Sequence, residues 1–250
     1  MNDDEAVVIV TGGTRGIGRG IVRCFHDAGY RALVCARSAP EAPLRDGERE
    51  ALFTPADVRD PEQVEDVVEL AVREFGRIDV LVNNAGGTPA YDTATASPRL
   101  HARLVELNLL APLTFSVAAN RVMQQQPQGG SILFISSVAA QHPETTAISY
   151  AAAKAGIDTL GAGLAKAFAP HVRVNTVTVG LVATPDSGDF YGEGSEAAAH
   201  IPMGRMGTPE DVGHACVMLS DPLRAAYITG ANLAVHGGRQ TPWVGGGTGD

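Results

Sequence analysis

The sequence predicts one α/β domain built on a doubly wound parallel sheet of about seven strands, with helices on both faces. Three observations predict it. Short, β-branched apolar runs alternate with longer segments of helical periodicity along most of the 250 residues. Those runs lack polar alternation, as strands covered on both faces do. No internal repeat or linker divides the chain, and only the tail 239–250, RQTPWVGGGTGD, reads as loose. With 44% hydrophobic residues, a chain of this length can bury one large core.

The first strand is AVVIVTG (6–12), and a helix near 16–28 follows it. RALVCAR (31–37) and ALFTPADV (51–58) are the second and third strands. PEQVEDVVELAVREFG (61–76) puts Val64, Val67, Val68, Ala71 and Phe75 on one helical face, with Asp60 as N-cap and Pro61 at the first position. DVLVNNAG (79–86) is the fourth strand, followed by a helical stretch near 98–125. SILFISS (131–137), VRVNTVTVG (172–180) and ITGANLAVHG (228–237) complete the sheet, with helices near 149–169 and 209–220. Strands alternating with helices imply right-handed crossovers. In such sheets ligands bind beyond the carboxyl ends of the strands, so motifs placed there carry function.

Composition narrows the class. The net charge is −9, with 19 basic against 28 acidic residues, which argues against a nucleic-acid partner. Cys24, Cys35 and Cys216 are few, odd in number and far apart, as expected of reduced core residues in a cytoplasmic protein. The seven histidines form no HExxH or other ligand spacing, so no metal site is expected. MNDDEAVVIVTGG at the start is acidic with a very short apolar run, unlike a signal peptide. No run is read as reaching the length of a membrane span, and no membrane partner is expected.

TGGTRGIG (11–18) lies between the first strand and the first helix. A glycine-rich turn can be a tight turn and nothing more. Here Gly12 lets the backbone approach a pyrophosphate, Gly16 and Gly18 allow tight turning and close helix packing, and the helix start offers free N–H groups. Gly13, Thr14, Arg15 and Ile17 complete that turn. Its spacing is TGxxxGxG rather than GxGxxG. NNAG (83–86) closes the fourth strand; Asn83 reads as a tie between elements, while Asn84, Ala85 and Gly86 would pass beside a cofactor.

SYAAAKAG (149–156) sets a tyrosine and a lysine four apart in a run of alanines, so Tyr150 and Lys154 share one helical face. A nearby ammonium favours the phenolate, while burial opposes it. Lowering a phenol from ~10 by two or three units corresponds to about 3–4 kcal/mol. Taken alone, the pair reads more simply as an exposed helical contact. Ser137 ends the strand SILFISS, where a serine is often a turn or cap residue. Strand alternation sends Ser136 and Ser137 to opposite faces, so only one of them can serve a site. Asn108 lies between Leu107 and Leu109 in a helical stretch, in company that points to burial.

With TGGTRGIG, NNAG, Asn108, Ser137 and the Tyr150-AAA-Lys154 unit in that order, the chain resembles the short-chain dehydrogenase/reductase family across residues 6–238. The nearest branch is the 3-oxoacyl-[acyl-carrier-protein] reductase-like group of ketoreductases. MGRMGTPEDVG (203–213) and YITGANLAVHGG (227–238) resemble its C-terminal segment. The resemblance implies a Rossmann-like fold and hydride transfer between NAD(P) and a carbonyl or secondary alcohol. It assigns the proton to Tyr150, substrate orientation to Ser137, and tuning of the tyrosine and the nicotinamide ribose to Lys154. The family's serine-to-tyrosine spacing selects Ser137 over Ser136. Asn108 would interrupt its helix and hold a water linked to the lysine. Val182 would meet the carboxamide, with Thr184 below the phosphates.

The second strand ends in Ala36-Arg37, with no carboxylate to accept from ribose hydroxyls. Arg37 and Arg15 flank the expected adenosine ribose and suit a 2′-phosphate, which favours NADP(H) over NAD(H). Asp57 and Val58 are expected at adenine. The family's Pro-Gly reads Val179-Gly180 here, its aromatic near the start of the fourth helix is replaced roughly by His101, and its Asp-Gly-Gly reads His236-Gly237-Gly238. The segment 183–205 is expected as a substrate lid, with Phe190 and Tyr191 either covering the substrate or packing the lid down. The resemblance also implies a homotetramer, or a homodimer, through helices 98–125 and 149–169 and the last strand, with Trp243 a candidate to dock on a neighbour. A non-catalytic cofactor-binding regulator or scaffold of the same fold is the alternative that the set Asn108, Ser137, Tyr150 and Lys154 argues against. An epimerase or dehydratase of the related longer family is disfavoured by the TGxxxGxG spacing and the absence of a substrate domain.

Overall fold

The strands form where apolar, β-branched residues run together, and the helices where one face is apolar. The computed structural model describes residues 5–185 and 194–238. Its main sheet has strands β1 (Val7–Thr11), β2 (Arg31–Ala36), β3 (Leu52–Pro55), β4 (Val80–Asn83), β5 (Gly130–Ser137), β6 (Val172–Val179) and β7 (Asn232–Val235). The helices are α1 (Gly16–Asp27), α2 (Pro61–Phe75), α3 (Pro98–Val105), α4 (Ala111–Met123), α5 (Ile148–Phe168), α6 (Gly194–Ala199) and α7 (Pro209–Ser220). The seven strands are ordered β3-β2-β1-β4-β5-β6-β7, every neighbour parallel. The direction of strand order reverses at β1, which opens a crevice beyond β1 and β4.

Strand alternation divides the core into two layers. Ile132 and Phe134 of β5 face Phe115 of α4, Ile157 of α5 and Val64 of α2. Leu133 and Ile135 face the other way, into the layer that holds Ile21 and Phe25 of α1 and Val212 and Leu219 of α7. The helix starts follow their side chains. Asp60 accepts from the Glu62 N–H at 3.0 Å, with proline next to it. Thr208 and Asp211 form a reciprocal capping box on α7.

Four details differ from the sequence reading. The stretch 98–125 is not the single helix its periodicity predicts: a π-helical turn, Glu106–Leu110, separates α3 from α4 around Asn108, where the resemblance implies an interruption. By length and composition Pro98–Met123 also reaches a membrane span, contrary to expectation. In this fold Phe115, Ala118, Ala119 and Met123 of that stretch are buried in the core. The crossover between β2 and β3 carries a small hairpin, Arg45–Asp46 against Arg49–Glu50. Its anchor is tertiary, because Asp46 accepts from Arg19 at 2.8 and 2.6 Å and lies 2.8 Å from His26 Nδ1. Finally, β3 stops at Pro55 and β7 starts only at Asn232. The Asp57 N–H goes to Gln63 at 2.8 Å and the Gly230 N–H to the Val174 carbonyl at 2.7 Å, so neither extends the regular strand.

Candidate active site

The glycine turn and NNAG are stitched together at the ends of β1 and β4. Thr11 Oγ1 accepts from the N–H groups of Asn84 (3.0 Å) and Ala85 (2.9 Å). Asn84 Nδ2 returns the favour by donating to the carbonyls of Thr11 (2.9 Å) and Gly12 (3.2 Å). A Cβ at Gly18 would lie 2.2 Å from the Gly12 oxygen and 2.6 Å from Asn84 Nδ2, so no side chain fits there. Arg15, exposed and extended at φ −152°, precedes α1 without donating or accepting a side-chain cap, and the first turn holds no acid. The N–H groups at the start of α1 therefore face the crevice without a side-chain acceptor at the cap, which suits a pyrophosphate. Thr184 lies against this turn, its Cγ2 3.6 Å from where a Gly16 Cβ would be. Val182 is buried and bridges to Gly207. Gly13 is tight against Val34 and Val22, Ile17 packs on the α1 layer, and Thr14 is half-buried in the turn.

Beyond β2 and β3 the charges are exposed. Arg37 follows β2 on the surface, and its charge acts on Asp57. The stronger partner of Asp57 is Arg59, which donates from Nε at 2.9 Å and Nη2 at 2.5 Å. That fork, more than any other neighbour, holds the Asp57 carboxyl below its usual range. The Val58 side chain turns into the core.

At the other end of the crevice, polar groups are buried. Lys154 is 5% exposed and donates from Nζ to the Ile135 carbonyl at 2.8 Å. Burial pulls its amine down to about 8, with Asp158 opposing. Nζ lies 5.6 Å from the centre of the Tyr150 ring. Asn108, 0% exposed, accepts from the Gly87 N–H at 2.9 Å and donates to the carbonyls of Gly87 and Leu104, both at 3.0 Å. The bond to Leu104 competes within the helical ladder at the point where the π turn begins. A Cβ at Gly86 would sit 2.7 Å from Asn108 Oδ1 and 3.3 Å from Lys154 Nζ. Three separate segments thus meet around one glycine. Ser137 ends β5 and accepts from the Ala139 N–H at 3.2 Å, so it caps the short turn that packs on α5. Ser136 points the opposite way, buried, toward the Lys154 carbonyl at 3.4 Å.

Comparison with known proteins bears on this arrangement. The family described as enoyl-(acyl carrier protein) reductase matches residues 12–240. A putative ketoacyl reductase of the granaticin polyketide synthase of Streptomyces violaceoruber is 36% identical, over 94% of this chain and 96% of its own. The 3-oxoacyl-[acyl-carrier-protein] reductase of Vibrio cholerae is 34% identical over 95% and 98%. Among solved structures, the actinorhodin polyketide ketoreductase with NADPH superposes with a TM-score of 0.87 at 31% identity, over 95% of this chain and 98% of that one. The chain belongs to the short-chain dehydrogenase/reductase family. It is an oxidoreductase acting between an alcohol and a carbonyl, and it binds a nicotinamide cofactor.

Within that family two of this chain's departures are spatial neighbours. A Cβ at Gly180 would lie 2.7 Å from the His236 Cβ, so the Val179-Gly180 and His236-Gly237 positions meet across β6 and β7. His101 has a different job. Its Nδ1 is 2.6 Å from Ser149 Oγ, and its ring meets Tyr91 edge-on at 5.7 Å. The Tyr91 hydroxyl accepts from the Ser149 N–H at 3.0 Å. Ala147 gives α5 no side-chain cap, so the loop after β4 supplies one. Sequence reasoning missed Tyr91 and Arg59. Arg59 follows Asp57 closely enough to have been noticed, but Tyr91 lies 58 residues from its partner. Of the expected lid, Ala197 and Ile201 are buried against Leu181, while Phe190 and Tyr191 lie outside the described residues. The tail with Trp243 does too.

Proposed function

We propose that the whole chain works as one nucleotide-binding domain that reduces a small-molecule carbonyl, or oxidises the matching secondary alcohol, with Tyr150 as the proton donor and acceptor. The observation that carries this is the meeting of Gly86, Asn108 and Lys154 one helical turn from Tyr150. The nicotinamide, when bound, supplies or takes up the hydride at the carbonyl carbon. Tyr150 holds the proton for the substrate oxygen, and Ser137 orients that oxygen with the hydroxyl that also caps the turn. The Lys154 charge favours the phenolate and serves the nicotinamide ribose, with Asn108 fixing the backbone beside it. Gly12, Gly13, Thr14, Gly16, Ile17 and Gly18 hold the pyrophosphate, joined by Thr184. Asn84, Ala85, Gly86 and Val182 line the nicotinamide side. Asp57 and the Val58 backbone serve adenine.

NADPH is the preferred cofactor in this reading. No carboxylate ends β2, and the exposed guanidinium groups of Arg37 and Arg15 suit a 2′-phosphate, which supports this reading. Because Arg59 compensates Asp57, that acid does not oppose the phosphate. Two related structures, the actinorhodin ketoreductase and a blue fluorescent protein from a metagenomic library, are complexes with NADPH, which supports the same choice. Relatives are named for polyketide, sugar and steroid substrates, so the shared step is the exchange at one C–O carbon. We assign the chain to the cytoplasm on its three free, buried cysteines. A homotetramer is supported by exposed Leu110, Val117 and Ile148 on the α4 and α5 side and by exposed Leu223 and Tyr227 near β7. A panel of carbonyls and alcohols, followed by NAD(P)H absorbance, tests the activity, and a Tyr150→Phe protein with undiminished turnover would sink it. Light scattering that finds only monomer at micromolar concentration would remove the assembly.

A further inference from the structure

Only two of the 19 basic residues are lysines, Lys154 and Lys166. The first is the buried one, and its Nζ has a backbone carbonyl rather than a carboxylate within hydrogen-bond reach. One turn further along α5 lies Asp158. Its Oδ1 is buried without a hydrogen-bond partner. Burial raises the Asp158 carboxyl above its usual range, and the neighbouring Ser136 and Asn232 side chains and the Lys154 charge oppose that rise. Ser136 also reaches the Lys154 carbonyl at 3.4 Å, and Asn232 accepts from Thr178 at 2.6 Å. Ser136, Asp158, Asn232 and Thr178 thus form a polar cluster from α5, β5, β6 and β7, behind the lysine. A carboxylate oxygen left bare inside a protein gives the fold nothing and costs it stability. Lys154, one turn away on the same helical face, is a charge that offsets this cost.

Among the described residues, the elements packed around α5 leave one candidate. Arg173 of β6 turns to the carbonyls of Leu219, Ser220 and Ile228. His101 of α3 goes to Ser149, and Glu106 of the π turn acts on Arg59. Arg99 and Arg103 of α3 and Lys166 of α5 are exposed. The charge that acts on Asp158 is Lys154.

We propose that Asp158 is a positioning residue for the proton transfer: it is the half-buried counter-charge that keeps Lys154 an ammonium ion, and through Lys154 it sets the pH range in which Tyr150 works. This rests on the reading of Tyr150 and Lys154 given above. Burial already brings the lysine down to about 8, and the Asp158 charge opposes that fall. Neutralising Asp158 lets the lysine drop further and lose its charge across the neutral range.

The two-lysine composition makes the test direct. Protein labelled with carbon-13 at lysine Cε gives two side-chain signals, and Lys166→Arg assigns them. In the cofactor-free protein, Asp158→Asn should lower the Lys154 titration midpoint by about half a unit or more, with Lys166 unmoved. Asp158→Glu, which keeps the charge, should bring the midpoint back toward wild type, a rescue that a merely structural role does not predict. Asp158→Ser removes the charge with a smaller side chain, should the asparagine variant misfold. On a carbonyl from the panel, the alkaline limb of kcat/KM for reduction should move down with the lysine. A Lys154 midpoint that stays in place, or rises, in a folded charge-removing variant overturns the proposal while leaving the Tyr150 chemistry standing. Failure of that chemistry shows separately, as turnover retained by Tyr150→Phe.

Discussion

Around Lys154 the polar groups are buried and fastened to backbone: Asn108 to Gly87 and Leu104, the lysine to Ile135. Around Arg37 they stand in water, with Arg15 and Arg37 exposed and Asp57 paired to Arg59 at a half-exposed site. The contrast teaches what each end can be asked to do. Buried groups fastened to backbone hold one geometry, which proton transfer demands. Long exposed side chains hold many geometries and are screened by salt, so they tune preference among cofactors.

The largest effect should come from the buried end. Tyr150→Phe keeps the ring and removes the proton, and kcat should fall by about 10²–10⁴. Cofactor affinity, followed by NADPH fluorescence, should hardly change, because the adenosine end is untouched. A large loss of NADPH binding in this variant would break the division between the two ends.

Gly86→Ala probes the same end by volume. The new Cβ would sit 2.7 Å from Asn108 Oδ1, so the amide or the lysine must move. Overpacking of this kind costs about 1–3 kcal/mol. We expect a lower Tm and a lower kcat together, measured by calorimetry and steady-state kinetics. A methyl absorbed without loss of either would mean that the buried end is less rigid than its hydrogen bonds imply.

These two ends also differ in how far they could be read from sequence. The strands were legible because Val7–Val10 and Ile132–Ile135 are apolar without alternation, and only a two-sided layer buries such runs. Gly18 was legible as a close approach, whereas Gly86 reads from sequence as passing beside a cofactor, and nothing in NNAG says that Asn108 and Lys154 crowd it. The hairpin at 45–50 was not, since its polar residues pair over two positions and are anchored by Arg19 and His26 on α1. Nor was the break at Asn108 legible from periodicity, because the side chain that interrupts the helix does so by bonding to Leu104 and Gly87. Distant partners leave no local pattern.

The exposed end is tested by exchange. Ala36→Asp with Arg37→Leu supplies a ribose acceptor and removes a phosphate donor. The ratio of kcat/KM for NADPH over NADH should fall by roughly tenfold or more, enough to reverse, at about 1–2 kcal/mol for an exposed charged contact. In wild type, the KM for NADPH should rise with ionic strength while kcat stays level. Equal or tighter NADH binding by wild type would refute the assignment of NADPH.

The smallest effect is expected at Tyr91, which lies between the two extremes. Its hydroxyl accepts from the Ser149 N–H at 3.0 Å, and its ring leans on His101. Tyr91→Phe keeps the ring contact and removes an acceptor that the start of α5 receives from this loop. Loss of a helix cap costs about 0.5–2 kcal/mol, and the low end applies where water can replace the oxygen, as at a half-buried site. Tm should fall by a few degrees. Because the freed turn carries Tyr150, kcat should fall severalfold, while NADPH affinity stays at the wild-type value. Ser149→Ala, which keeps the N–H to Tyr91 but cuts the contact to His101, should be milder still. If Tyr91→Phe lowers Tm and leaves kcat untouched, the loop stabilises α5 without placing its tyrosine, and the precision of the buried end comes from Lys154 and Asn108 alone.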